Sequence, residues 1–356
     1  MNGLIFISAN GIGHAQRVRP VLRLLINRGC KIYILTGKKQ CEFLEAHYAN
    51  ISNLVIIQSN YIDSVPSYNT NPLEQYINVI DSYQDFQNDL KNLVEIEFDF
   101  LISDNYVAPL KWIDIKKKIL IANFLWGDIW DNARCFEFLS ERKNWIQLES
   151  VNQNRNFVVA SEIEFSTVKG LSDFFFKYID IASYRPVIDQ ILANQKIRVL
   201  ISLGRTRQRD YLFGAILDLL DKASTHRGIL QFFSLGPPLE KVSDLVTFID
   251  ESCDFSAFDI VITRGGLGSL KDAVENNLFS FFVETDDFEL SENQARAREL
   301  GVGAKLCELE LALRNDSMSD VVFDVCSIVN TAFEKRRDSV LAQGFEDLIS
   351  NLVLDQ

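Results

Sequence analysis

An apolar strand-like run, a glycine turn and an amphipathic helical pattern open this chain, and the same succession begins again near residue 197. The first copy runs from Leu4–Ile7 through Ser8-Ala-Asn-Gly-Ile-Gly-His-Ala-Gln-Arg17 into a pattern carrying Arg19, Val21, Leu22, Leu25 and Ile26. The second starts with Ile197-Arg-Val-Leu-Ile-Ser202, after a polar, proline-marked stretch around Tyr184-Arg-Pro-Val. On both sides of that stretch short β-rich runs alternate with longer helical patterns, as in parallel sheets covered by helices. With 356 residues the chain exceeds what one core usually fills. The expectation is therefore an α/β protein of two Rossmann-like domains, residues 1–185 and 186–335, with a terminal helix in 336–356 packing back on the first.

Strands are expected near 3–8, 31–36, 54–58, 98–103, 118–123 and 157–160, then near 197–202, 228–233, 245–249, 259–263 and 278–283. Leu73, Tyr76, Ile77, Ile80, Tyr83, Phe86, Leu90 and Leu93 recur at three- and four-residue spacing and predict one long amphipathic helix. Val321, Val322, Val325 and Ile328, then Val340, Leu341, Phe345, Leu348 and Leu352, predict two terminal helices.

Net charge is −13, with 19 basic against 22 acidic residues up to Asp189 and 17 against 27 beyond it. Such a balance argues against nucleic acid as a partner. No apolar run approaches the ~18 residues needed to span a bilayer, and no cleavage pattern precedes the first turn, so a cytoplasmic protein is expected. Lys111 and Lys116–Lys118 read as a solvated charge run, with peripheral contact to the inner face of a membrane as the alternative. Six scattered cysteines offer no C-x-x-C pair and no zinc spacing, and read as reduced thiols.

The first turn has Gly11 and Gly13 but Gln16 where a dinucleotide fingerprint needs its third glycine, which argues against NAD or FAD. His14 instead stands at a helix N-terminus, where the dipole disfavours its protonation and favours a neutral base. Asp104 ends the strand beginning at Phe98 and so lies on the same carboxyl edge of a parallel sheet. A carboxylate there would fix the imidazole tautomer and stabilise the imidazolium; capping the next segment is the competing role. Phe124, Trp126 and Trp130 of the loop Asn123–Trp130 could form an apolar wall against which a sugar ring or aglycone packs, with burial in the core as the competing role.

The second half carries Asp259-Ile-Val-Ile-Thr-Arg-Gly-Gly-Leu-Gly-Ser-Leu-Lys-Asp272, a strand, a glycine-rich turn and a helix start. Backbone N–H groups there would hold a diphosphate, with Arg264 neutralising charge and Ser269 donating a hydrogen bond. Gly204 and Arg205, beside Arg207 and Arg209, form a second turn expected to face the same phosphate.

Taken together these residues resemble the GT-B glycosyltransferases, in the branch containing the N-acetylglucosaminyltransferase of peptidoglycan lipid-intermediate synthesis and the UDP-glycosyltransferases. The resemblance spans the chain and is most specific at Gly11–Arg17 and from Phe248 to Gly303. It implies two Rossmann-like domains with parallel sheets facing across a cleft, the first taking the acceptor and the second the nucleotide sugar, without a metal or cofactor. By position, His14 matches the catalytic base and Asp104 its partner; Gly11, Gly13, Arg17, Asn123, Phe124 and Trp126 fall to the acceptor side, Ile249 falls where uracil is contacted, and Gly266, Gly268 and Ser269, in the turn begun by Gly265, at the diphosphate loop. Asp272 stands at the usual ribose-binding glutamate, and Glu289 with Asn293 at the sugar-reading positions, where Leu290 replaces a glutamine.

The resemblance thus implies an inverting, metal-independent glycosyltransferase moving a sugar from a UDP-sugar to a hydroxyl acceptor, be it glycan, lipid-linked or small molecule. Two alternatives stay open: a nucleotide-sugar hydrolase of the pseudaminic-acid-pathway type, and a nucleotide-sugar-binding protein without catalysis.

Overall fold

The computed structural model describes residues 1–9, 11–64, 83–106, 109–110, 113–122, 157–161, 174–177, 183–186, 188–204, 209–226, 228–236, 244–250, 253–285, 288–314, 317–334, 343–344 and 351–354. Its chain divides into two compact units, Met1–Tyr178 with Leu341–Gln356, and Ile179–Val340.

Unit 1 alternates strand and helix as β1 (Asn2–Ile7), α1 (Ile12–Asn27), β2 (Lys31–Thr36), α2 (Lys38–Tyr48), β3 (Leu54–Gln58), α3 (Asn60–Ser64) and α4 (Tyr83–Leu90). It continues as β4 (Phe100–Asp104), β5 (Lys117–Ile121), β6 (Phe157–Ser161) and β7 (Phe174–Lys177). Unit 2 contains α5 (Ile188–Asn194), β8 (Ile197–Ser202), α6 (Arg209–Ala223), β9 (Leu230–Leu235), β10 (Val246–Ile249), β11 (Ile260–Thr263) and α7 (Leu267–Glu275). There follow β12 (Phe279–Phe282), α8 (Phe288–Glu299), β13 (Gly303–Lys305), α9 (Leu306–Ala312) and α10 (Met318–Glu334). A last strand, β14 (Gln343–Gly344), returns to unit 1.

Every strand pair is parallel. The first sheet runs β14-β7-β6-β5-β4-β1-β2-β3 and the second β10-β9-β8-β11-β12-β13. A parallel sheet with helices on its faces buries its strands on both sides, so they read as continuous apolar runs rather than alternating ones. Accordingly β4, β11 and β12 are buried along their whole length. The apolar stripe of α1, Ala15, Val18, Val21, Leu22 and Leu25, packs on Ile5, Ile32 and Ile102 of the first sheet. In unit 2, Val321, Val322, Val325 and Val329 of α10 join Val199, Ile201, Ile260 and Phe281 in one core.

In each sheet the strand order reverses at one place, between β1 and β4 and between β8 and β11. Ligands of open α/β sheets bind at the carboxyl ends of strands flanking such a reversal, where the connections lead away in opposite directions. The registers Ile7↔Asp104 and Ser202↔Thr263 bring the ends of the flanking strands level. Both glycine turns singled out in the sequence therefore stand at a switch point.

Each expected strand is present within a few residues. Three further short strands, β7, β13 and β14, were not anticipated; β14 falls within 336–356, where a terminal helix was expected and where, among the described residues, only 351–354 is helical. Of the long helix expected from Leu73, Tyr83–Leu90 is helical and Lys91–Leu93 forms one 3-10 turn; residues 65–82 lie outside the described residues. Two members of the lysine run depart from a solvated face: the Lys118 ammonium is buried and donates to Leu110 O at 2.7 Å, and that of Lys117 donates to Val353 O at 2.9 Å, while Lys111 lies outside the described residues. Orphan carbonyls at segment ends recruit those ammonium groups, which leaves Lys116 as the exposed member among the described ones. No helix among the described residues is long and apolar enough to cross a membrane.

Candidate active site

Gly11 ends the first turn at φ 108°, in the half of backbone space open to glycine, and caps α1 without any side-chain hydrogen bond. The cap residue therefore supplies no side-chain acceptor to the first N–H groups, and His14 lies in the first turn. A Cβ at Gly13 would meet no atom of the described residues within 4 Å.

His14 Nδ1 lies 2.7 Å from Asp104 Oδ2. Asp104 is fully buried, His14 is 9% exposed and Arg17 3%. Arg17 Nη2 donates to Asp104 Oδ1 and lies 3.3 Å from His14 Nδ1. Burial by itself would raise the Asp104 carboxyl, but the Arg17 guanidinium and the His14 imidazole outweigh it and hold the group below its ordinary value. An ionised Asp104 only accepts, so the neutral imidazole that pairs with it carries its proton on Nδ1 and its lone pair on Nε2. One carboxylate thus selects the tautomer that leaves Nε2 available as a base.

Arg17, expected as an acceptor contact, donates from Nη2 to Asp104 Oδ1, a role the sequence did not assign it. The reason is positional. On α1, residues i and i+3 share a face, so the helix that presents His14 to the end of β4 presents Arg17 to it as well. Only spatial proximity to a buried carboxylate, invisible in the sequence, decides its partner.

Two further residues shape this site and were not singled out. Gln40, buried in the first turn of α2, donates from Nε2 to Ala9 O and Gly11 O, both at 3.0 Å, and so pins the glycine turn. Thr36 Oγ1 donates to Ile7 O at 2.9 Å at the end of β1. Neither carries a motif; the one available signal was their place at the end of the strand next to β1 and the start of its helix.

In unit 2, β11 ends at Thr263 and the chain turns through Arg264, Gly265 at φ 85° and Gly266 into α7. Gly266 caps α7 with no side-chain hydrogen bond, and no acidic residue lies in the first turn, so the N–H groups around Gly268 and Ser269 meet no competing carboxylate there. Such a terminus favours an anion. Gln294 Nε2, from α8, donates to Arg264 O at 2.8 Å and Val283 O at 2.9 Å, and fixes the turn. Gly204, at φ 74°, follows β8 and would bring a Cβ within 4 Å of no atom of the described residues.

Asp272 lies on α7 with its surface exposed, yet the protein around it still partly desolvates the carboxyl and pushes it above its ordinary value, Glu275 adding to this and Lys271 opposing it. Ile249 ends β10, and its carbonyl accepts from Gly236 N at 3.2 Å. Glu289 and Asn293 both belong to α8; Asn293 is buried, and Leu290 between them turns inward. Arg205, Asn123, Phe124 and Trp126 lie outside the described residues. Among the described residues no cluster of His, Cys, Asp and Glu has the composition to hold a metal ion.

No protein-family model matches the sequence, and no curated protein matches it. Solved structures do. The calicheamicin glycosyltransferase CalG4 superposes with a TM-score of 0.61 at 13% identity, over 94% of this chain and 93% of that one. LpCGTa in complex with UDP gives 0.60 at 13% identity, over 99% of both chains. Arabidopsis thaliana UGT89C1 complexed with quercetin gives 0.58 at 15% identity, again over 99% of both. The fold is that of the GT-B glycosyltransferases, two parallel-sheet α/β units matched over nearly the full chain. At these identities the likeness is one of fold, and what the site does must be argued from its own groups.

Proposed function

We propose that this protein is an inverting glycosyltransferase that moves a sugar from a UDP-sugar to a hydroxyl acceptor, without a metal ion. The observation that carries the reading is the buried His14–Asp104 pair at 2.7 Å, with Nε2 of the imidazole left as a base at the switch point of the first sheet. In this reading the acceptor O–H proton passes to His14 Nε2 while the oxygen attacks the anomeric carbon from the face opposite the departing group. As the new C–O bond forms, the bond from the anomeric carbon to the diphosphate oxygen breaks, and its electron pair leaves with UDP. Asp104 stabilises the imidazolium formed, as in other His–carboxylate pairs.

The turn Arg264–Ser269 takes the diphosphate. Its uncapped N–H groups supply preorganised donors where negative charge grows, and Arg264 and Arg205 add cationic charge in a domain that is otherwise acidic. Asp272 would hold the ribose hydroxyls, Ile249 the base, and Glu289 with Asn293 the sugar. Gly11, Gly13, Asn123, Phe124 and Trp126 would line the acceptor side. A UDP complex and a quercetin complex among structures of this fold support a nucleotide donor and a hydroxylated acceptor. The structures named above do not bear on the peptidoglycan branch, and the acceptor class proposed is drawn from the quercetin complex.

A thermal-shift screen of nucleotides and UDP-sugars tests the donor, because a ligand of the native state raises stability as RT ln(1 + [L]/Kd). His14→Ala should keep the UDP shift and lose transfer by at least 10²-fold, within the usual span of general-base catalysis. Full activity of that variant would remove His14 as the base, and release of free sugar at full rate without acceptor would make the protein a hydrolase.

A further inference from the structure

Among the described residues four non-glycine positions have φ in the left-handed region: Asn50, Asn105, Gln195 and Asn277. Asparagine tolerates this region because its short amide can bond locally or face water. The other three follow that pattern. Asn277 Oδ1 accepts from Arg185 N at 2.9 Å, Gln195 Nε2 donates to Leu192 O at 2.8 Å, and Asn50 is exposed. Asn105 does not: it is 2% exposed at φ 64°, and neither Oδ1 nor Nδ2 has a hydrogen-bond partner among the described residues.

Its backbone N–H, by contrast, is tied. Asn105 N donates to Ile121 O at 2.8 Å, and Ser103 Oγ donates to Tyr106 O at 2.6 Å across the same turn. The turn therefore imposes the strained conformation, and the side chain contributes nothing to holding it. Glycine would adopt this φ without strain and would bury no unpaired amide. A residue that costs stability twice over, directly after Asp104 and level with the end of β1, has the marks of a binding group.

We infer that Asn105 is a substrate-binding residue of the His14–Asp104 site, whose amide holds a neutral hydroxyl-bearing substrate by a vicinal hydroxyl of the acceptor. The chemistry follows from the two idle atoms. Oδ1 only accepts and Nδ2 only donates, so a carboxylate would satisfy one, an ammonium the other, and a hydroxyl pair both. This assignment rests on the glycosyltransferase reading for the identity of the hydroxyl compound as acceptor.

Asn105→Gly separates binding from folding. With UDP-glucose as donor and a panel of flavonol and saccharide acceptors, the variant should melt at or above the wild-type temperature. It should raise the KM for the acceptor at least 10-fold and leave the donor KM within twofold. A variant that melts several degrees lower, or that keeps the wild-type acceptor KM, overturns the inference. Should the wild type transfer to no acceptor of the panel, the glycosyltransferase reading fails by itself, and Asn105 is then judged with methyl α-D-glucopyranoside as a vicinal-diol probe. A thermal shift in the wild type that Asn105→Gly abolishes supports the assignment; equal shifts, or none in either protein, overturn it.

Discussion

Gln40 in unit 1 and Gln294 in unit 2 make the same kind of clamp: each side-chain amide donates from one nitrogen to two backbone carbonyls beside a glycine turn. The places correspond. Gln40 lies on the helix after β2, the neighbour of β1, and Gln294 on the helix after β12, the neighbour of β11. Turns with left-handed glycines, Gly11 and Gly265, are thereby held from outside by a residue of the adjoining strand–helix connection.

Replacing each clamp by leucine should give different kinetic signatures. Each variant loses two hydrogen bonds worth about 0.5–1.5 kcal/mol apiece and leaves carbonyls unpaired, so both should melt lower. Gln40→Leu should mainly reduce kcat, because the turn it releases carries His14. Gln294→Leu should mainly raise the donor KM. Steady-state kinetics with both substrates varied would check this, and identical signatures would contradict a separate role for the two turns.

Arg17 and Asp104 form a buried ion pair, and removing one partner of such a pair typically costs ~3–5 kcal/mol because the other charge stays behind. Arg17→Met should therefore be strongly destabilising in urea unfolding. The double variant Arg17→Met/Asp104→Leu should recover much of the loss, since no charge is then stranded. Additive effects of the single and double variants would show that the pair is not coupled.

The same contact sets a pH dependence. Asp104 is held below its ordinary value in the folded protein, so its contribution to stability is complete above about pH 4, the unfolded carboxyl value, and is lost as pH falls through the lower folded one. In Arg17→Met the carboxyl loses its strongest cationic partner, and the acid transition should begin at higher pH. Melting curves by circular dichroism from neutral to strongly acidic pH would show the displacement; coincident acid limbs would rule it out.

Two glycine substitutions should behave oppositely. Gly265→Ala places a Cβ on a residue at φ 85° and within 2.7 Å of Gln294 Cγ, so a loss of at least ~1–2 kcal/mol is expected, with a weakened UDP shift. Gly13→Ala adds a methyl group, with no atom of the described residues within 4 Å, inside a helix, where alanine exceeds glycine by up to ~1 kcal/mol. Its melting temperature should rise while transfer falls, because the added carbon occupies the approach to His14. Unchanged activity would mean that nothing needs that space.

Much of the fold was legible because parallel strands buried on both faces announce themselves as short runs such as Leu4–Ile7 and Ile260–Ile262. Gly303–Lys305 and Gln343–Gly344, at sheet edges, did not, since so few residues carry no period, and Phe174–Lys177, between β6 and β14, is a short apolar run that only its pairing marks as a strand. His14 and Asp104 could be paired in advance because both follow strands onto one sheet edge. Arg17, Gln40 and Gln294 could not be placed in the same way, as their partners are a buried carboxylate and main-chain carbonyls whose directions only the folded backbone sets. Asn105 was hidden for the same reason: its sign is a φ angle and a missing partner.

Unit 1 is discontinuous in sequence. Gln343–Gly344 extends its sheet beside Phe176–Lys177, and Val353 fills a fully buried place in the same core as Ile5 and Ile121. A ribosome therefore emits the whole of unit 2 before the first unit can fill that place. During synthesis the N-terminal sheet waits with part of its core uncovered, and the second unit has everything it needs to fold first.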